Sequence, residues 1–287
     1  MQQIPYIQIA QGGKNKWWLY VVGVLSTLIY MPVLFFKYMQ WVRAQDFSVA
    51  TIYYFNFAYR AGFIAVMLLI IRYLHHKRIK TVFTAYSRFD FKKAIVAFLV
   101  YFVVSAAFVL VDYFKTPEDF VWAYTPGFWP ALLFGFVFIT LQVVAEELFY
   151  RGYVFQFTGL GTGNKWMAIG ISTLFFITAH LGNLKNASPA LVVANFTIMG
   201  LAWSLPILFS NGLEISIGFH LANNIFAIHI FNSANDAFRA PSLWVTPESP
   251  METSSVVSYG VLLLISLVVM YAYQIRFGNA ASNYNQL

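Results

Sequence analysis

The sequence contains no cysteine, and only 10% of its 287 residues are charged, against about 25% in an ordinary soluble domain. Without cysteine, a disulfide scaffold and a thiol nucleophile are excluded, and the redox compartment leaves no mark. So few charges cannot cover a surface facing water when 60% of the chain is hydrophobic and 20% aromatic. A soluble globule is excluded, and the solvent for most of the surface is lipid. Glycine and charge show no period, which removes collagen and coiled coil, and so much apolar side chain removes disorder. Acid is scarcer still: 11 Asp and Glu stand against 18 Lys and Arg, a formal net charge of +7.

A basic excess raises nucleic acid as a partner, but the placement of the charges points elsewhere. Lys77, Arg78, Lys80, Arg88, Lys92 and Lys93 fall in one segment between two apolar runs, as cytoplasmic membrane loops do. No basic face with interleaved aromatics recurs, so nucleic acid is not expected. Anionic lipid headgroups are the expected partner of the 75–93 loop.

Apolar runs long enough to cross about 30 Å of hydrocarbon, roughly 20 residues, lie near 17–38, 51–74, 94–112, 128–157, 166–184, 189–210, 213–232 and 256–276. They are continuous rather than alternating, so they are helices whose backbone groups bond internally and not barrel strands. The expected fold is an all-α polytopic membrane protein, with eight transmembrane helices in one bundle. It forms a single domain over 1–287, with short cytoplasmic tails at 1–16 and 277–287. The first run lacks a small-residue cleavage pattern and reads as a retained helix rather than a secretion signal. Outside the helices, eleven Lys and Arg fall on the N-terminal side of the membrane and five on the other, which puts both termini in the cytoplasm. Short loops and the absence of a soluble domain look prokaryotic, so the inner (cytoplasmic) membrane is the expected location.

An ionisable residue inside the membrane costs about 2.5 to 3.5 kcal/mol on insertion scales, so each one needs a reason. Arg60 reads as a snorkelling or paired side chain of the second run, and Asp112 as interfacial. The remaining set is Glu146, Glu147, Arg151, His180, His220 and His229. Adjacent residues on a helix point about 100° apart, so Glu146 and Glu147 have different roles. Glu147 lies four residues before Arg151, the favourable order for an ion pair, which leaves Glu146 to face a cavity. His220 and Asn224 share a face, whereas His229 projects to the other side and is left out. At about 1.5 Å per residue, Glu146 and His180 lie about 16 and 21 Å above the Gly159–Asn164 turn, and His220 about 12 Å above the Asn211–Gly212 turn. All three therefore converge on the cytoplasmic half of the bilayer, around an intramembrane polar cavity open to that side.

Such a cluster has two hydrolytic readings. A carboxylate and one imidazole can deprotonate a water for attack on an amide, while His220 and Asn224 donate to the oxyanion. Alternatively, Glu146, His180 and His220 are ligands of a zinc ion that activates the water. Residue types alone leave both open. No Ser stands in a nucleophile elbow and no H-E-x-x-H helix is present, so a serine mechanism is disfavoured.

The three motifs EELFYR, FFITAH and HLANN read as E-E-x-x-x-R, F-x-x-x-H and H-x-x-x-N in order on successive helices. Together they resemble the CAAX protease and bacteriocin-processing family of intramembrane proteases, related to the Ras-converting CAAX endopeptidases. The resemblance covers about 128–232, the expected catalytic core. It implies that Glu146 and His180 activate the water, that Glu147, Arg151 and Phe176 support the site, and that His220 and Asn224 bind the oxyanion. It also implies an endopeptidase acting on a membrane-associated peptide or a protein C-terminus. Relatives were first described as metalloproteases and later as glutamate-type proteases. The glutamate type, without a cofactor, is the expected one here, with zinc as the alternative. Prokaryotic members are linked to bacteriocin maturation and self-immunity. Two other functions compete: a catalytically silent membrane scaffold or regulatory partner, and a proton-coupled transporter, against which the absence of an inverted repeat counts.

Overall fold

A computed structural model describes residues 4–29, 35–45, 49–181, 188–233, 240–246 and 252–278. A short helix α1 (Pro5–Gln8), prolonged by a 3-10 turn at Ile9–Gln11, precedes α2 (Trp17–Ile29), α3 (Phe35–Ala44) and α4 (Val49–Leu69), the last ending in a π-helical turn at Ile70–Leu74. After α5 (Phe91–Lys115), α6 (Phe128–Glu147) continues through a π-helical stretch, Leu148–Val154, into α7 (Phe155–Thr162). Then come α8 (Lys165–Ala179), α9 (Pro189–Ser204), the short α10 (Ile207–Ser210), α11 (Glu214–Ile225) and α12 (Thr253–Phe277). Three strands of two or three residues, β1 (Val121–Trp122), β2 (Phe231–Ser233) and β3 (Trp244–Thr246), form a small sheet in the order β1-β3-β2. In it β1 runs antiparallel and β2 parallel to β3. This sheet was not expected; strands so short carry no readable alternation.

Among the described residues, four helical stretches are long and apolar enough to cross a membrane: Phe91–Lys115, Phe128–Thr162, Pro189–Ser210 and Thr253–Phe277. The architecture is that of an all-helical membrane protein. On α12, Val257, Val261, Leu264, Val268 and Ile275 recur at helical spacing and are all exposed, a stripe that only lipid can cover cheaply. Other expected spans are shorter or divided. The 166–184 run yields a helix of 15 residues and the 213–232 run one of 12, followed by a π-helical turn at Phe226–Ile230. The 17–38 run is shared between α2 and α3, with residues 30–34 outside the described residues. The tail at 277–287 likewise lies outside them beyond residue 278.

α11 sits in the middle, packed against α5, α6 and α9, with every residue from Glu214 to Ala222 buried. Gly218 permits this, since a Cβ there would collide with the backbone of Ala94 and the side chain of Ala97 on α5. The start of α11 is pinned by the basic loop. Leu213 N–H donates to Phe83 O at 2.8 Å and Ala85 N–H to Asn211 O at 2.9 Å, around an Asn211 in the left-handed conformation that Asn tolerates well.

The basic loop is less solvated than its charge implied. Lys77 and Lys93 are buried, while Arg78, Arg88 and Lys92 are exposed. The expected tail at 1–16 also carries structure that packs on this loop. Tyr6, Ile7 and Ala10 are fully buried. The Tyr6 hydroxyl donates to Val82 O at 2.5 Å, and Gln156 Nε2 donates to Tyr6 O at 3.2 Å. Gly159, expected in a turn, lies inside α7 instead, where a Cβ would strike Ile7. The turn itself falls at Gly163, in the left-handed conformation, and Asn164, whose side chain caps α8. Lys77 Nζ donates to Ala10 O at 2.7 Å and to the Tyr20 hydroxyl at 2.6 Å. His75 Nδ1 donates to Lys14 O at 2.9 Å, and its Nε2 accepts from the Tyr153 hydroxyl at 2.6 Å.

Burial pushes Lys77 down to about 7 from an ordinary 10.5, and it lowers His75 as well. Both groups bind fewer protons docked than released, so docking gains stability as pH rises, for Lys77 between about 7 and 10.5. Amide-exchange protection at residues 7–10, corrected for the intrinsic rate, is expected to increase from about pH 7 to about pH 9. Lys77→Met should flatten most of that increase; a flat wild-type profile would contradict the assignment.

Candidate active site

The site is built around a charge pair inside the bundle. Glu147 closes α6, and Arg151 stands four residues later within the π-helical stretch. Both side chains are fully buried, with Arg151 Nη1 3.2 Å from Glu147 Oε1. The remaining guanidinium donors reach α9: Nη2 to Gly200 O and Nε to Ser204 Oγ, each at 3.3 Å. The guanidinium carbon lies 4.6 Å from the centre of the Phe176 ring, a cation–π contact in a desolvated setting. Gly200 lets α9 approach closely enough, because a Cβ there would press on Thr173 of α8. Phe176 is thus the floor under Arg151 as well as the neighbour of both imidazoles, with its centroid 4.3 Å from that of His180 and 6.4 Å from that of His220.

Glu147 has a second partner that spacing did not reveal. His220 Nδ1 donates to Glu147 Oε1 at 2.8 Å, and the imidazole stacks on Trp203 at 3.9 Å between centroids and 16° between planes. A carboxylate only accepts, so Nδ1 carries a proton and Nε2 is the atom turned to the chemistry. That Nε2 lies 3.8 Å from Glu146 Oε2. Glu146 is itself buried. Its Oε1 accepts from Gln142 Nε2 at 3.1 Å and lies 3.6 Å from Arg60 Nη1, whereas its Oε2 has no hydrogen-bond partner. The expectation that Glu147 pairs with Arg151 and leaves Glu146 apart agrees with this geometry. Arg60, read from sequence as snorkelling or paired, is paired, and its partner is Glu146.

His180 caps the C-terminus of α8, where its Nδ1 donates to Phe176 O at 2.7 Å. A carbonyl only accepts, so the neutral ring presents Nε2 as a base. His180 lies within electrostatic reach of Glu146, although no hydrogen bond joins them. Asn224 lies one turn beyond His220 on α11, with its Oδ1 accepting from Asn223 Nδ2 at 2.9 Å. Asn223 in turn accepts from the hydroxyls of Tyr101 and Tyr259 at 2.8 and 2.7 Å. His229 stands apart, bonded to Pro241 O at 3.2 Å, as its position on the helix implied.

The structure therefore links Glu146 to His220, His220 to Glu147, and Glu147 to Arg151 and through it to Phe176, brings His180 in through Phe176, and carries Asn224 one turn beyond His220 on α11. Sequence reading missed Gln142, Trp203, Ser204 and Asn223. Gln142 carried a faint signal, being four residues before Glu146; the others are placed by packing alone. Among the described residues, no three His, Cys, Asp or Glu side chains are gathered as a metal ion requires, so Glu146, His180 and His220 do not form a ready ligand set in this geometry. Two clefts enter the bundle from other faces. One, of about 660 Å³, is an apolar groove lined by Phe91, Ile95, Phe136 and Leu221. The other, of about 520 Å³, is more polar and is lined by Ser105, Asp112, Asn223 and Tyr259. As an arrangement of groups, the site holds a buried carboxylate oxygen without a hydrogen-bond partner, facing an imidazole nitrogen at 3.8 Å, with a second imidazole within electrostatic reach.

Removing one partner of a fully buried pair leaves an uncompensated charge, worth about 3 to 5 kcal/mol. Glu147→Gln is expected to lower the melting temperature and folded yield in detergent sharply, whereas Asn224→Ala should leave both nearly unchanged. Equal melting curves for Glu147→Gln and the parent would contradict the pairing.

Residues 127–226 match the family model described as Rce1-like, type II CAAX prenyl endopeptidase. The chain is also similar to the uncharacterized protein YyaK of Bacillus subtilis (strain 168), 25% identical over 245 residues that cover 81% of this chain and 78% of that protein. No solved structure matches. The matched segment opens at the start of α6 and closes after α11, so it takes in all three motifs. The resemblance that those motifs carry is thus borne out: over residues 127–226 the chain bears the Rce1-like pattern of the type II CAAX prenyl endopeptidases.

Proposed function

We propose that the chain is an intramembrane endopeptidase that hydrolyses a peptide bond of a membrane-associated peptide or protein C-terminus, with Glu146 as the general base. The observation that carries this reading is Glu146 Oε2, a buried carboxylate oxygen without a hydrogen-bond partner, facing His220 Nε2 at 3.8 Å. A water held between Glu146 and His180 gives a proton to the carboxylate and attacks the carbonyl carbon. The oxyanion is met by the Asn224 carboxamide and by His220. To donate from Nε2, His220 must carry both protons, and Glu147, which accepts from Nδ1, offsets that imidazolium charge while it lasts. Glu146 then passes its proton to the departing amine. Arg151, Phe176 and Trp203 hold the acceptor and the two rings in place. The proposal places the site in the cytoplasmic half of a prokaryotic inner membrane and routes no step through a metal. Anionic headgroups at the exposed Arg78, Arg88 and Lys92 complete it.

The test is Glu146→Gln in the intact 287-residue chain, with new peptide termini read in membranes from cells that express the variant or the parent. Loss of the base is expected to lower turnover by about 10²- to 10⁴-fold while the melting temperature changes little, and turnover equal to the parent would defeat the base role. Asn224→Ala is expected to lower kcat by about 10²- to 10³-fold, the cost of one oxyanion donor. Elemental analysis of the active protein reads the metal directly: stoichiometric zinc that tracks activity through chelation and return would replace the carboxylate mechanism with a metal one.

A further inference from the structure

Arg60 stands inside α4, an apolar helix where an arginine is expensive to insert and therefore needs a purpose. Its Nη1 lies 3.6 Å from Glu146 Oε1, with the Arg60 side chain 21% exposed and that of Glu146 8%. The charge of Glu147 is already matched by Arg151 on its own helix, so Arg60 is the cation facing Glu146 at close range. The division of labour between the two carboxylate oxygens is the informative feature. Arg60 and Gln142 both address Oε1, and neither touches Oε2, the oxygen on the side of His220. The other ionisable groups that face Glu146 are His180 from α8, His220 from α11, and Tyr150 from the next turn of its own helix. An imidazole is not a permanent cation, so neither ring supplies a constant positive charge. A guanidinium does, because it does not titrate.

We infer that Arg60 is a positioning residue for Glu146: together with Gln142 it holds Oε1, so that Oε2 is the oxygen presented to the reacting water. The inference rests on Glu146 being the base. It accounts for a charged side chain on α4, a helix outside the three motifs and outside residues 127–226. It also makes α4 part of the site, with Arg60 reaching across to α6.

The test needs no substrate. Infrared difference titration of the full chain in lipid nanodiscs reads the carboxylic-acid band of Glu146, identified by its disappearance in Glu146→Gln. Removing an opposite charge from this distance is expected to raise the pH midpoint of that band by about 1 to 3 units in Arg60→Gln. Arg60→Lys should return most of the shift. If Arg60→Gln fails to fold, Arg60→Met, whose apolar chain suits the helix, gives the same readout. A midpoint that does not move in a folded variant overturns the inference and reduces Arg60 to a structural side chain. Full turnover in Glu146→Gln would instead defeat the base assignment, while leaving the infrared result on the Arg60 contact intact.

Discussion

Two opposite charges without access to water determine how the middle of this bundle is arranged. Neither Glu147 nor Arg151 can be buried alone, since desolvation of either ion costs several kcal/mol, and the ion pair satisfies only part of their hydrogen-bonding capacity. The rest is recruited from other helices. Arg151 takes the Gly200 carbonyl and the Ser204 hydroxyl of α9 and the ring face of Phe176 on α8, while Glu147 takes the imidazole of His220 on α11. One pair thereby fixes the rotation of three further helices, and the side chains gathered around it inherit positions that the pair requires. The geometry of the candidate site and the folding of the bundle are coupled through the same atoms.

The π-helical stretch that carries Arg151 adds to this. Wider turns of this kind occur often at functional sites, and here the residues inside the stretch serve different neighbours. Arg151 faces α9. Gly152 lies against the backbone of Val82, where a Cβ would meet the carbonyl oxygen at 2.9 Å. Tyr153 meets His75. Within three residues the helix connects the buried acid to the basic loop, and the loop in turn holds the start of α11, on which His220 sits.

Much of this was legible in the sequence, for a physical reason: ionisable residues are so costly in lipid that the few present must be gathered, and helical rise alone puts Glu146, His180 and His220 at comparable depth. The pairing of Glu147 with Arg151 followed from a spacing of four residues. What stayed hidden depends on tertiary register. The contacts of Arg60 with Glu146 and of His220 with Glu147 join residues 86 and 73 positions apart, and no local pattern encodes such a pairing. Glycines misled at Gly159, where the absent side chain makes room for Ile7 rather than a bend. Charge counting misled at Lys77 and Lys93, because it cannot distinguish a solvated ammonium from one held by a carbonyl or an aromatic ring. Run length does not reveal that the helix from the 213–232 run is buried within the protein, nor that it ends in a π-helical turn.

The seat of the first helix has a bearing on biogenesis. Tyr6 leaves the ribosome well before Arg151 and Gln156, the residues that receive it 145 and 150 positions later. The segment that carries Tyr6 cannot complete its seat over the junction between the basic loop and the π-helical stretch until α7 has been made. Closure of that junction is thus a late event in assembly, completed by a segment made long before its partners.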